Sequence, residues 1–420
     1  MVSRLLSVLA ALLLVGCVAG QGPSARLAQD VRRPVTILVS IDGFRPDYLD
    51  RGVTRHLSRL ASEGVRASMR PSFPSKTFPN HWTLVTGLRP DRHGIVANRM
   101  EDPARPGEVF TMATADPAWW SAAEPIWVAA ERAGVRTATM FWPGSNVAWG
   151  GQLTKEWPDP IKGGERPQDW QAYDSYVSNR QRVNATLDYL RRPVATRPRL
   201  LTLYFEAVDD AGHAYGPDAA RTTAAVAAMD REIGALVAGL AEIGQPANLI
   251  VTADHGMATT SPTRIVRLDG IADPGDYRLI EGGTYAALAA QPGREAALER
   301  RLLGRHDHAE CWRKAELPAR FAYGKHPRVA PYLCLAEPRW LILDKPPAVA
   351  GDGGNHGYDH EAPDMAAVFV AHGPAFRRGV RLPTFDNVAV YPLLRALLGL
   401  APASGKDGDL APVRSALSGR

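Results

Sequence analysis

The chain has 420 residues, 45% hydrophobic and 22% charged, with a formal net charge of +5 at pH 7. That balance supplies apolar material for a large core and excludes a disordered chain, a coiled coil and a collagen-like repeat. Lys and Arg are scattered, and no aromatic residues interleave with a basic run, which argues against binding a nucleic-acid polymer.

At the N-terminus, Arg4 precedes an apolar stretch from Leu5 to Val15, then Gly16 and Cys17. A positive start before a short apolar run has the pattern of an export signal, assigned to residues 1–21, and is too short to span a bilayer stably. Leu14-Val15-Gly16-Cys17 also resembles a bacterial lipobox. That reading places a lipid on Cys17 and tethers an exported chain at a membrane surface, periplasmic or outer-membrane; cleavage after Gly20 and secretion is the alternative. Removing Cys17 from three cysteines leaves Cys311 and Cys334. An even pair in an exported chain is most simply one intrachain disulfide, with two buried thiols as the alternative.

Val35 to Ile41 is a β-branched apolar run suited to a strand buried on both faces. Leu57, Leu60 and Ala61 follow at helical spacing, closed by Gly64. Ala123 to Arg132 reads as a helix, Arg136 to Phe141 and Leu200 to Phe205 as strands. Pro217 to Ile243 is Ala-rich with helical periodicity, and Asn248 to Thr252 and Ala366 to Val370 are further short strands. This alternation predicts an α/β fold with a central, largely parallel sheet flanked by helices. Residues 265–343 are less regular and hold both later cysteines, which predicts an insertion or subdomain. Residues 401–420 are small, polar and punctuated by Gly and Pro, which predicts a loosely ordered tail.

Three predicted strands end near aspartates. Asp42 closes the first, Asp209 follows the Leu200 strand with His213 four residues on, and Asp254-His255 follows the Asn248 strand. Ligands of open α/β sheets gather outside the carboxyl ends of strands, so these groups are expected to meet at one edge. A lone strand-end Asp is often a helix cap, but three with nearby histidines are not explained that way. The loop Gly351 to Asp359 adds His356. Carboxylates and imidazoles without thiolates suit zinc in a hydrolytic site. The other histidines, His81 and His93 among them, have no such support and read as surface, helix or supporting residues. Pro71 to Gly87 reads as a loop feeding a helix, with Thr77 at or near its N-cap, where free N–H groups suit a phosphate.

Asp42-Gly43-Phe44-Arg45, Lys76-Thr77-Phe78-Pro79-Asn80-His81, Asp209-x-x-x-His213-x-Tyr215-Gly216-Pro217, Asp254-His255-Gly256-Met257 and His356-Gly357-Tyr358-Asp359 occur in that order. Together they strongly resemble the nucleotide pyrophosphatase/phosphodiesterase family of the alkaline phosphatase superfamily. The resemblance spans Val35 to Leu400 and implies one catalytic domain of bacterial type over residues 35–400. It implies two zinc ions and a covalent phosphothreonine intermediate. One zinc falls to Asp42, Thr77, Asp254 and His255, the other to Asp209, His213 and His356. Asn98 matches the family asparagine that hydrogen-bonds a phosphoryl oxygen, and Phe78, Tyr173 and Tyr204 match positions that hold a nucleobase.

The activity so implied is hydrolysis of nucleotide phosphodiester and pyrophosphate bonds. A rival on the same fold is a lipid-headgroup phosphodiesterase for choline-type esters, which needs an acidic or aromatic cage around the cation. A sulfatase fits less well, since its nucleophile is Cys or Ser in another motif. The non-enzymatic alternative is a zinc-binding surface lipoprotein whose catalysis has decayed, against which the full ligand set argues.

Overall fold

Val35–Ile41 forms β1, and all seven residues are buried. The chain continues through α1 (Arg55–Glu63), β2 (Val65–Arg70), α2 (Thr77–Thr86), α3 (Ile126–Arg132), β3 (Thr137–Met140) and β4 (Asp169–Gln171). There follow α4 (Asn179–Arg191), β5 (Leu200–Phe205), α5 (Ala207–Tyr215), α6 (Ala220–Glu242) and β6 (Ala247–Thr252). Next come β7 (Tyr277–Glu281), β8 (Tyr285–Ala290), β9 (Gly304–His306), β10 (Ala309–Arg313) and β11 (Tyr332–Ala336). The chain closes with β12 (Ala367–His372), α7 (Val390–Leu398) and α8 (Ala411–Arg414). The structure is a computed structural model and describes residues 32–346 and 351–419. The export-signal segment and Cys17 lie outside the described residues.

The main sheet runs β2-β12-β6-β1-β5-β3-β4, with the short strand Val380–Arg381 beyond β2. β1 pairs in parallel with β6 and β5, and β3 in parallel with β5 and β4. β12 is antiparallel to both β6 and β2. The sheet is therefore mixed, and the expectation of a largely parallel sheet holds with β12 as the exception. Because β12 reverses direction between them, β2 and β6 point the same way. The carboxyl ends of β1, β2, β3, β4, β5 and β6 thus lie along one edge. Residues 42, 71–77, 141–146, 172–173, 206–209 and 253–255 emerge there, which is why distant motifs converge.

β1 lies at the centre of one hydrophobic cluster with β5, β6 and β12, through Ile37, Leu38, Val39, Leu203, Ile250 and Phe369. Truncating such a side chain costs ~2–5 kcal/mol, so Leu38→Ala would remove a large part of a typical domain's stability. β7 to β11 form a separate five-stranded sheet, with Cys311 directly opposite Cys334 on β10 and β11 and the two joined as a disulfide. A second hydrophobic cluster, including Leu288, Leu298, Cys311 and Cys334, fills this region. The irregular reading of residues 265–343 arose because these strands are short and connected by turns. Arg33–Arg420 nevertheless forms one compact unit.

Two local expectations are corrected. The helix expected from Ala123 begins at Ile126, because Pro125 occupies the N-cap in an extended conformation and proline disfavours helix in the residue before it. The tail, over its described residues 401–419, is largely exposed but anchored at several points rather than loose. Asp407 accepts from the Arg89 backbone N–H and the Arg92 guanidinium, and Val413 and Ala416 are buried. Backbone hydrogen bonds add to these, from Asp407 to the Gly87 carbonyl, Arg377 to that of Ala416 and Ser418 to that of Ala375.

His93 is fully buried beside α2 and is locked in one neutral tautomer. Its Nδ1 accepts from the Ile95 N–H, so its Nε2–H donates, to the Pro79 carbonyl at 3.1 Å. Burial pushes its pKa down from 6.5 to about 3. The fold therefore holds His93 neutral and loses that stabilisation as pH falls from 6.5 towards 3. His93→Gln should flatten the pH dependence of unfolding free energy across that window, by up to ~1.4 kcal/mol per pH unit. Denaturant titrations at stepped pH would show it; an unchanged slope would refute the assignment.

Candidate active site

β1 delivers Asp42 to the sheet edge and Gly43 immediately behind it. Gly43 has φ of +67°, and a Cβ there would lie 3.2 Å from the Asp209 Cα, so only glycine lets the two segments approach. β2 leads through residues 71–76 to Thr77, the first residue of α2; Lys76, not Thr77, stands at the N-cap. Every α2 residue except Phe78 is buried, and the helix ends at Gly87 in the left-handed conformation. α5 places Asp209 and His213 one turn apart, so their side chains share a face, with His213 Nε2 3.3 Å from Asp209 Oδ2. β6 delivers Asp254 and His255, and the loop before β12 delivers His356.

All seven expected ligand residues meet. His255 Nε2 lies 2.8 Å from Asp254 Oδ2, 3.4 Å from Asp42 Oδ1 and 3.3 Å from Thr77 Oγ1. His356 Nε2 lies 3.1 Å from His213 Nε2 and 3.7 Å from Asp209 Oδ1. The His255 and His356 rings stack 3.5 Å apart, so the two expected ligand groups adjoin.

The donor chemistry of this cluster fits divalent cations. His213, His255 and His356 each donate Nδ1–H to a backbone carbonyl, of Gly354, Gly256 and Ser75 respectively. In the neutral imidazoles each Nε2 then carries a lone pair, and these point at one another and at carboxylates. Thr77 Oγ1 also lies 3.3 Å from the His255 Nε2, and against its burial the facing Asp209 raises the pKa of His213. Asp42 Oδ1, Asp209 Oδ1 and Asp254 Oδ2 are buried without any hydrogen-bond donor. Acceptors facing acceptors repel unless a cation lies between them. Burial, reinforced by the neighbouring aspartates, pushes the Asp42 and Asp254 carboxyls well above the usual range. Burial and the adjacent His255 push His356 well below its usual range.

Two geometric groups of possible ligands arise, Asp209 with His255 and His356, and Asp42 with His81 and Asp254. His81 is accordingly much closer to the centre than its motif position suggested. Both its ring nitrogens are used, Nδ1 by the Thr77 carbonyl at 2.8 Å and Nε2 by Ser40 Oγ at 2.9 Å. Its role is to brace the start of α2 against β1, and burial holds it neutral with a pKa of about 3.

A cavity of about 660 Å³ opens beside the cluster, lined by Asp42, Thr77, Asp209, His213 and His356 together with Phe78, Asn98, Tyr173 and Tyr204. Asn98 Oδ1 accepts the Phe78 N–H at 2.9 Å, which fixes its amide orientation and leaves the Nδ2 donors for another acceptor. Tyr173 is half-exposed, with its ring 6.1 Å from that of Tyr204. Burial and the facing Glu206 carboxylate push the Tyr173 hydroxyl up to about 12. Tyr204 is only 8% exposed, and its hydroxyl donates to Asp42 Oδ2 at 2.8 Å. Burial and the Asp42 charge push that hydroxyl well above its usual range, which keeps it a donor.

Sequence reasoning missed three side chains here. Lys76 is buried next to Thr77, its ammonium 5.7 Å from the centre of the Tyr285 ring and within the field of Glu281 and Asp209. It stood inside the quoted Thr77 motif, but nothing in that motif tells a buried lysine from an exposed one. Thr284, in the turn between β7 and β8 of the insertion sheet, donates its hydroxyl to the His356 carbonyl at 3.0 Å. Arg182 lies behind the cavity wall. A Cβ at Gly357 would come 2.6 Å from Lys76 Cε, and its φ of +114° is open to glycine alone.

A family model described as type I phosphodiesterase/nucleotide pyrophosphatase matches residues 36–359. The chain belongs to that family. Among its relatives, the bis(5'-adenosyl)-triphosphatase enpp4 of Xenopus laevis is 35% identical over 390 residues, covering 92% of this chain and 82% of the relative. Human ectonucleotide pyrophosphatase/phosphodiesterase family member 5 is 34% identical over 375 residues, covering 87% and 74%. The solved structure of murine ectonucleotide pyrophosphatase/phosphodiesterase 5, an inactive form in complex with AMP, matches with a TM-score of 0.85 at 33% identity, covering 92% of this chain and all of that one. The chain is thus a hydrolase of the nucleotide pyrophosphatase/phosphodiesterase family, with an alkaline-phosphatase-like sheet and a group of candidate metal ligands at its edge.

The Tyr204–Asp42 hydrogen bond gives a direct test of how the site is held. Tyr204→Phe keeps the ring and removes only the donor to Asp42. Loss of a partner behind a metal ligand weakens metal binding about 10–100-fold. Competition with a chromophoric chelator should therefore show at least ~10-fold weaker retention of a divalent cation supplied to the cluster; retention equal to wild type would mean the bond does not orient Asp42.

Proposed function

We propose that this family member is a two-zinc enzyme that cleaves nucleotide phosphodiester and pyrophosphate bonds through a phosphothreonine on Thr77. The observation that carries the reading is the juxtaposition of the Thr77 hydroxyl with a ring of bare acceptor atoms, at the mouth of a cavity with aromatic walls. Asp42, Asp254 and His255, with Thr77, are assigned to one zinc, and Asp209, His213 and His356 to the other. The set lacks thiolates and combines oxygen with imidazole donors, as zinc hydrolytic sites do. When bound, such a pair supplies polarisation of the phosphoryl group and lowers the pKa of a hydroxyl or water beside it.

The chain's own residues set the geometry of transfer. Thr77, at the first position of α2, presents its hydroxyl to phosphorus with the free N–H groups of the helix start alongside. Asn98 offers its Nδ2 donors to a phosphoryl oxygen, as charge builds there in the transition state. The Thr77 oxygen bonds to phosphorus as the ester or anhydride oxygen departs; water then breaks the Thr77–phosphorus bond and releases the nucleotide. Phe78 and Tyr173 offer partly exposed aromatic faces for a nucleobase; Tyr204, buried in the wall of the same cavity, serves chiefly as the donor to Asp42. The murine relative bound to AMP in an inactive threonine-to-alanine form supports both the nucleotide and the nucleophile.

Charge favours diesters over monoesters. Two divalent cations are matched by three aspartates and an ionised Thr77 oxygen, and the buried Lys76 is answered by Glu281. A near-neutral centre accepts a diester monoanion more readily than a monoester dianion. For the choline-type rival, the acids outside the ligand set that line the cavity are Glu206, already paired with Arg182, and Asp210. Export with a lipid on Cys17, two motifs that lie outside the described residues, is proposed from the Leu14-Val15-Gly16-Cys17 pattern. Among the described residues, no helix is long and apolar enough to cross a membrane.

Thr77→Ala should abolish turnover of a nitrophenyl nucleotide while retaining the wild-type zinc content. Wild-type protein should cleave that diester faster than nitrophenyl phosphate. Diesterase activity persisting in the variant, or a preference for the monoester, would refute the mechanism.

A further inference from the structure

Arg182 lies in the first turn of α4 and is 1% exposed, yet it is outside the ligand cluster. Its guanidinium has five N–H donors, and most are committed to the cavity wall. Nε donates to the Val177 carbonyl at 3.0 Å, Nη1 to the Tyr204 carbonyl at 3.2 Å, and Nη1 and Nη2 together grip both oxygens of Glu206. Its flat face lies 4.9 Å from the centre of the Phe141 ring and 5.7 Å from that of Tyr173. Phe141, Tyr173, Tyr204 and Glu206 all line the cavity.

The wall partners come from three separate segments, the ends of β3 and β4 and the junction of β5 with α5, while Val177 precedes Arg182's own helix. One buried cation therefore ties together wall elements that the sheet delivers independently. Phe141 adds a second, independent sign of constraint. It is a buried aromatic with φ of +63°, a conformation that bulky residues avoid and that survives where the surroundings over-determine it. Tyr173, by contrast, is 51% exposed and has little packing of its own beyond the Phe141 edge, 5.7 Å away, Arg182 and Tyr204.

We propose that Arg182 is a positioning residue that holds Phe141 and Tyr173 as one preformed aromatic wall, so that the enzyme selects phosphodiesters carrying a planar group. The inference rests on the nucleotide reading of the cavity above. Arg182 itself touches no reacting atom. A lysine in its place keeps one charge near Glu206 but offers neither the two-pronged grip nor a flat face to the rings. With the wall untethered, Tyr173 must be ordered at the moment of binding, and part of the stacking is lost.

The test uses the zinc-loaded full chain with Arg182→Lys, Tyr173→Leu and the double variant. For a nitrophenyl nucleotide, each single variant should raise KM about tenfold, in the range expected for loss of one base–aromatic stack. kcat should fall much less, and the loss on methyl nitrophenyl phosphate should be several-fold smaller. The double variant should be little worse than either single one, because both remove the same wall. Equal losses on both substrates, or additive losses in the double variant, would overturn the proposal. Should Arg182→Lys fail to fold, Tyr173→Leu alone decides: absence of a nucleotide-selective loss overturns it. AMP and orthophosphate affinities, measured by calorimetry on Thr77→Ala with and without Arg182→Lys, separate this inference from the mechanism. AMP binding should weaken about tenfold and orthophosphate binding little, whether or not Thr77 is the nucleophile; equal weakening of both would again overturn the proposal.

Discussion

Three imidazole lone pairs are forced to face buried carboxylates, and the rest of the site depends on that conflict. His213, His255 and His356 cannot relieve it by changing tautomer, because each Nδ1–H is held by a backbone carbonyl. The aspartates cannot relieve it by hydrogen bonding, because three of their oxygens have no donor. Tyr204 quiets one Asp42 oxygen, and Gly43 N–H contacts one Asp254 oxygen at 3.3 Å, but each carboxylate keeps an unanswered side. A fold bears such an arrangement when cations complete it, and the buried supports, from Ser40 and His81 to Thr284, are placed to keep the acceptors from relaxing apart.

The sheet explains how residues so far apart in the chain come to share this conflict. Parallel pairing of β1 with β5 and β6 brings Asp42, Asp209 and Asp254 to one edge, and the reversed β12 lets β2 deliver Thr77 to the same place. The convergence of the three aspartates was legible in the sequence, since apolar β-branched runs ending in Asp mark strands whose carboxyl ends carry chemistry; β2 and the reversal of β12 were not. The pairing of Asp209 with His213 was implied by the family resemblance; the helix that sets them one turn apart was not read from the sequence. The insertion sheet was less legible. Its strands are short, and its relevance to the site lies in one hydroxyl, Thr284, and one acid, Glu281, whose placement depends on how β7 and β8 turn.

The aromatic wall shows the other limit of sequence reading. Phe78, Tyr173 and Tyr204 were expected to act alike, but the structure gives them different tasks. Phe78 and Tyr173 present partly exposed rings to the cavity, whereas Tyr204 is buried and its hydroxyl serves Asp42. Arg182 carried no motif signal, because its importance arises from partners at the ends of β3 and β4 and at the junction of β5 with α5, with only Val177 near it in the chain. His81 and Lys76 were within a recognised motif, yet only packing shows that one is a neutral brace and the other a buried cation. The tail misled for the opposite reason: its composition is that of a loose end, but Asp407, two buried apolar side chains and backbone hydrogen bonds to residues 87, 375 and 377 anchor it.

The central claim is that this cluster is a two-cation site by construction. Metal analysis of the purified full chain, by mass spectrometry of the intact protein under non-denaturing conditions, measures it directly. The account predicts two zinc ions per chain, with Asp42→Asn and His213→Gln each removing one preferentially. A native chain that holds a single ion, or none after dialysis against zinc, would contradict it.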